Sequence, residues 1–85
     1  MLRYEFRENE NIIDIVKKAN EYVYTIRIFK NSNDYVGLIV DKGNRPVKVL
    51  YGKYNHDKII MMLNENGFER TFIEIEKSLI KRARK

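Results

Sequence analysis

The chain contains no cysteine, so it forms no disulfide and offers no thiolate to a metal. Tryptophan and glutamine are also absent, and there is one proline, Pro46. Proline donates no hydrogen bond to a β-ladder, which confines Pro46 to a strand start or a sheet edge. The four glycines stand apart from one another, so no glycine-rich loop is present to cradle a phosphate. His56 is the single histidine. With only Asp57 beside it, it falls short of a zinc site, which needs three or four ligands. No nucleophile is in evidence for it to serve as a general base. Ser32 and Ser78 have no triad context, and Glu74 and Glu76, two apart on an expected helix, diverge. No catalytic, cofactor-binding or metal-binding residue is therefore assigned, and the chain reads as a non-enzyme. No apolar run approaches the ~20 residues of a membrane span, and the N-terminus lacks the apolar stretch of a signal peptide. The expectation is a soluble, cytoplasmic protein with no membrane partner.

What is present suits one small domain over residues 1–85. The chain is 44% hydrophobic and carries six tyrosines and four phenylalanines, enough for a single modest core. Ile, Asn, Lys and Tyr are abundant, a bias toward AT-rich codons that points to a genome low in GC. Charge is unevenly placed. Of 17 basic residues, five (Lys77, Lys81, Arg82, Arg84 and Lys85) lie in the last nine positions with no acid among them. The remaining 12 balance the 12 acids, so the whole net charge of +5 sits at the C-terminal end.

Residues 22–54 form the centre of the pattern. Tyr22–Lys30 is rich in β-branched and aromatic residues, with Tyr24, Ile26 and Ile28 on one face and Val23, Thr25, Arg27 and Phe29 on the other. Asn31-Ser32-Asn33-Asp34 is a turn. Tyr35–Val40 is apolar on both faces, as a central strand is. Asp41-Lys42-Gly43-Asn44 is a second turn, and Arg45–Tyr51 a third strand. Two short connections make an antiparallel meander. Before it, Leu2–Arg7 alternates strictly and predicts a half-buried strand. Ile12, Ile13, Val16, Ala19 and Val23 recur at helical spacing, which predicts an amphipathic helix over 12–21 with Asn11 as its cap and Asn20 near its end. After the meander, Asn55 caps a short helix carrying Ile59, Ile60, Met62 and Leu63. Gly67 takes the position past its end. A further helix follows on the stripe Phe68, Phe72, Ile75, Leu79 and Ala83, with Thr71 and Glu74 spaced as a capping box. The competing reading of Thr71–Lys77 as a strand rests on a short alternation. The fold class is α+β, in the order β-α-β-β-β-α-α: a three- to four-stranded antiparallel meander covered on one face by two or three helices.

The order helix, three strands, helix over residues 12–66 resembles that of the double-stranded-RNA-binding domain. The resemblance is one of topology alone. The lysine-rich helix start of that family is His56-Asp57-Lys58-Ile59 here, and its glycine-proline loop is missing, so no binding residue is carried over. A helix-turn-helix centred on Gly67 fits poorly as well, with Leu63 and Asn66 where a small and an apolar residue belong.

Three surfaces remain as candidates. The first is the basic end, Lys77, Lys81, Arg82, Arg84 and Lys85, which suits the phosphates of RNA or DNA. The second is a sheet face left open by the helices. Thr25, Arg27, Phe29 and Lys48 share it if Ile26, Ile28, Val47, Val49 and Tyr51 face the helices, and an exposed aromatic among cations is how a sheet stacks bases. Lys53, Tyr54, His56 and Lys58 would extend it. The third is a free sheet edge, either Leu2–Arg7 or the strand from Val47, open to a partner strand or a second copy. The leading expectation is a small protein that binds nucleic acid with little sequence choice. The alternative is a protein-interaction module, such as a virus- or mobile-element-encoded protein masking a host protein, or a homodimer paired through a sheet edge.

Overall fold

The computed structural model describes residues 2–40, 43 and 45–83, the last four by backbone alone. The chain is α+β: five strands followed by one kinked helix. These are β1 (Leu2–Glu8), β2 (Ile12–Ala19), β3 (Tyr22–Phe29), β4 (Asp34–Val40), β5 (Pro46–Lys53) and α1 (His56–Ala83). The strands form one antiparallel sheet in sequence order, so β1 and β5 are its two edges.

The helix expected over 12–21 is a strand, β2, and the resemblance to the double-stranded-RNA-binding topology goes with it. Ile12-Ile13-Asp14-Ile15-Val16 satisfies helical spacing and alternation equally. Four of these five residues are β-branched, which costs side-chain freedom in a helix and fits a pleated surface. The turns decide the outcome. Asn9 Oδ1 accepts from the backbone N–H groups of Asn11 and Ile12 at 2.9 and 2.8 Å, which reverses the chain ahead of β2. At the other end Ala19 pairs with Tyr22, and Asn20 takes φ 54° in the two-residue connection, a conformation that Asn tolerates better than most side chains. Asn20 thus ends an element as expected, but turns a hairpin. The turn after β3 also holds, with Ser32 Oγ accepting from Asp34 N–H at 3.0 Å. In the second turn, Asp41, Lys42 and Asn44 lie outside the described residues.

The two C-terminal helices of the sequence reading form one continuous element broken at Gly67, whose φ of 79° and ψ of 178° are not helical. Asn55 caps the first arm as expected, its Oδ1 accepting from Lys58 N–H at 2.8 Å. The Thr71 capping box does not form. Thr71 is fully buried one turn inside the second arm, and its Oγ1 has no partner among the described residues.

The break folds both arms over one face of the sheet. Phe68 stacks on Phe6 of β1, ring centroids 5.3 Å apart. Phe72 meets Tyr4 of β1 and Tyr24 of β3. Leu79 reaches β4, where a Cβ on Gly37 would stand 2.8 Å from its Cδ1. The core lies between: Ile13, Ile15, Ile26, Ile28, Tyr35 and Leu50 from the sheet, and Ile59, Leu63, Phe72, Ile75 and Leu79 from α1. Cross-strand register confirms that one face supplies it, through the rows Ile15, Ile26, Gly37, Leu50 and Ile13, Ile28, Tyr35, Gly52. Lys17 belongs to that face too. Its ammonium lies 3.7 Å from Glu76 and over the Phe72 ring.

The Tyr24 hydroxyl is buried beneath α1 with no partner among the described residues. Burial, followed by the charges of Glu76 and Tyr35, pushes its pKa up to about 12 from an ordinary 10.0. The folded chain thus keeps a proton that the unfolded chain releases near 10. Stability from this group is whole below pH 10 and is lost as pH rises toward 12. Tyr24→Phe is expected to leave stability at pH 7 unchanged or slightly raised, because an unsatisfied hydroxyl is removed. The same change moves the midpoint of alkaline unfolding upward. Circular dichroism followed against pH checks both.

Candidate binding surface

The helix leaves the other face of the sheet uncovered, and that face divides into two unlike halves. On the β1–β2 side, register brings Glu5, Val16 and Thr25 into one row and Arg7, Asp14 and Arg27 into the next. Glu5 is the hub. Its carboxylate accepts from Lys18 Nζ at 3.1 Å and Arg7 Nη2 at 3.0 Å, and lies 3.1 Å from Arg3. The hydrogen bond from Lys18, then that from Arg7, holds the Glu5 pKa below the usual carboxylate range. Arg27 clasps Asp14 with both ends of its guanidinium, Nε to Oδ1 at 2.9 Å and Nη2 to Oδ2 at 3.0 Å. That hydrogen bonding raises the Arg27 pKa. The exposed Arg7–Glu5 pair adds little to stability. Arg3, Arg7 and Lys18 share the single carboxylate of Glu5, and Arg27 takes Asp14, so this half keeps a positive excess while each cation is tied to a carboxylate.

The β4–β5 half is apolar. Val36, Leu38 and Val40 stand outward from β4, and Val47, Val49 and Tyr51 from β5. Val47, Val49 and Tyr51 are 62%, 40% and 69% exposed, and Phe29 at the end of β3 is 39% exposed. An antiparallel sheet with one solvated face ordinarily puts polar side chains there. Phe29, Val36 and Tyr51 line a cleft of about 380 Å³, with Ser32, Asp34 and Lys53 at its rim. That volume lies toward the lower end of the range for ligand pockets and has room for a bulky side chain of a partner.

This arrangement corrects the predicted orientation of β5. Leu50 and Gly52 are buried against α1, while Val47, Val49 and Tyr51 face out. Lys48 sits in register with Ile39 and, through it, Tyr24, on the helix side. It does not share a face with Arg27 and Phe29. The open-face group expected from sequence therefore reduces to Thr25, Phe29, which is exposed, and Arg27, held by Asp14. Tyr51 joins it instead, beside Lys53.

Of the basic end, Lys77 is well exposed, with Glu74 3.9 Å away. Lys81 and Arg82 lie within α1, which runs to Ala83. Arg84 and Lys85 lie outside the described residues. His56 Nδ1 is 3.4 Å from Asp57 Oδ1. Among the described residues no three His, Cys, Asp or Glu side chains gather as a metal site would require, and no helix is long and apolar enough to cross a membrane. The chain matches no protein-family model, no curated protein and no solved structure.

Proposed function

We propose that this chain is a non-enzymatic protein-interaction module that seats its partner on the apolar half of the open sheet face. One observation carries the reading: Val47, Val49 and Tyr51 face water in a row, beside Val36 and Leu38, apart from the charged half of the same face. An apolar patch of this kind marks an interaction surface. Its paired neighbours leave Arg27 poorly placed to hold a phosphate. The test is a photo-crosslink. A benzoylphenylalanine at position 51, in the cells that naturally make the protein, is expected to yield a covalent protein adduct. The same probe at position 3, on the charged half, is expected to yield none. Absence of a protein adduct at 51 defeats the reading.

Nucleic-acid binding stands as a second reading, favoured by the helical path of residues 77–83. Because α1 continues to Ala83, Lys77 and Lys81 are one turn apart on the same side of the helix. RNA or DNA would be held here through phosphates alone, with no base read. The expected result is an affinity that falls steeply with salt. Removal of residues 81–85 would weaken it and flatten the slope of log Kd against log salt by roughly 0.7 for each single-strand phosphate that the shortened chain no longer neutralises. A slope unchanged by that truncation excludes the basic end as the site.

A further inference from the structure

We propose that the occupant of the apolar half is a second copy of this chain, the two sheets stacked face to face about a two-fold axis that runs along the strands between β4 and β5. The proposal rests on the protein-interaction reading and names its partner.

The geometry follows from what has to be covered. Pairing β5 edge to edge with a second β5 would satisfy free backbone groups but leave Val36, Leu38, Val49 and Tyr51 in water, with the patch doubled in width. Stacking the faces, about 10 Å apart as sheets pack, buries them. A half-turn about a line between β4 and β5 exchanges those two strands and keeps each residue at its own level. Each β4 residue then lies over the β5 residue that is its cross-strand neighbour at home. Val36 lies over Tyr51 of the second copy and Leu38 over Val49 of the second copy, both reciprocated.

Charge selects this axis over the others. Asp34 and Lys53 end the same row, on the open face, at the rim of the cleft. Among the described residues neither forms an ion pair within the chain. The axis sets Asp34 of one copy over Lys53 of the other, twice. An in-plane axis across the strands would instead set this charged end over the Val40 and Val47 end. The boundary between the halves fits as well. With β4 and β5 covered, β1, β2 and β3 project past the edge of the second copy, and the ion pairs of Glu5 and Asp14 stay in water. The patch is thus self-complementary in both shape of residue and sign of charge.

The experiment is sedimentation velocity on the full chain and on charge-reversed variants, from about 10 µM to about 1 mM, with circular dichroism to show that each is folded. The wild type is expected to approach twice the 10.3 kDa chain mass. Asp34→Lys alone sets Lys against Lys at both contacts, and Lys53→Asp alone sets Asp against Asp. Each is expected to raise the dimer Kd at least about tenfold. An equimolar mixture of the two variants restores Lys opposite Asp at both contacts and is expected to return the dimer. Nothing within either chain is repaired by mixing, so recovery reports a contact between chains. Tyr51→Glu, at an exposed position, is expected to give monomers with no recovery on mixing. A wild type that stays monomeric, a dimer indifferent to both reversals, or a mixture that stays apart overturns the proposal. A monomer that still crosslinks at position 51 to a different protein defeats the second copy and keeps the interaction reading. A monomer with no adduct there ends both.

Discussion

Phe72→Ala is expected to lower stability by about 3–5 kcal/mol, against about 5–15 kcal/mol for a whole domain. The ring is fully buried. It meets Tyr4 edge-on at 5.5 Å and Tyr24 edge-on at 5.2 Å, and the Lys17 ammonium lies 5.6 Å from its centroid. One side chain therefore joins the second arm of α1 to β1, β2 and β3 together. Its loss opens a cavity that those neighbours cannot close, because Tyr4 and Tyr24 are fixed on separate strands. In a domain of this size each kcal/mol lowers Tm by roughly 4–8 °C, and the fall is read by thermal circular dichroism. Phe68→Ala is the control. Phe68 sits one turn earlier, stacks on Phe6 and is 44% exposed, so its removal costs that ring pair, about 0.5–1.5 kcal/mol, plus only part of a full ring's burial, and less than the loss at 72. Equal losses at 68 and 72 would mean that the second arm is not seated as described.

Much of this architecture was legible in the chain, and the misses have physical causes. The meander over 22–53 was readable because its runs of β-branched and aromatic residues are separated by clusters of turn residues. The helical stripe from Phe68 to Leu79 was readable because no strand of that length carries such spacing, and the break at Gly67 because glycine alone enters positive φ freely. Residues 12–19 misled because Ile12, Ile13 and Val16 meet both periods. The evidence lay in their β-branching and in Asn9, a turn former three residues upstream. The candidate surface failed on the phase of β5. Counting apolar residues sets Val47, Val49 and Tyr51 inward against Leu50 alone. The true signal was Gly52, in phase with Leu50 and in register with Tyr35. A large ring on one strand needs a gap on the next, and burial followed the gap rather than the count. Composition could not reveal that Arg27 is clasped by Asp14, since the two are thirteen positions apart and meet only once 12–19 is a strand.

That same gap carries the other large expected effect. Gly52→Ala is expected to destabilise by about 1–3 kcal/mol as an overpacked core position, although alanine suits a strand interior better than glycine by roughly 0.5–1 kcal/mol. A Cβ at position 52 would run into the Tyr35 ring and its hydroxyl. Tyr35 has little room to withdraw. It is fully buried, stacks on Tyr54 at 5.2 Å and donates its hydroxyl to Ser78 at 3.2 Å. Moving it disturbs β4, the loop before α1 and the second arm at once, so the steric term outweighs the backbone gain. Two comparisons separate this cause from glycine chemistry in general. In a double-mutant cycle with Tyr35→Leu, which shortens the opposing side chain, Gly52→Ala should cost less than it does in the wild type, a coupling that contact between the two positions requires. Gly67→Ala should cost about 1–3 kcal/mol for a different reason. Its φ is +79° and nothing lies within 4 Å of a Cβ there, so the penalty is backbone strain and Tyr35→Leu should not relieve it. Chemical denaturation of the set reads all of these values. A Gly52→Ala protein as stable as the wild type would mean that Leu50 and Gly52 do not face α1. The outward row of Val47, Val49 and Tyr51, on which the interaction surface depends, would fall with it.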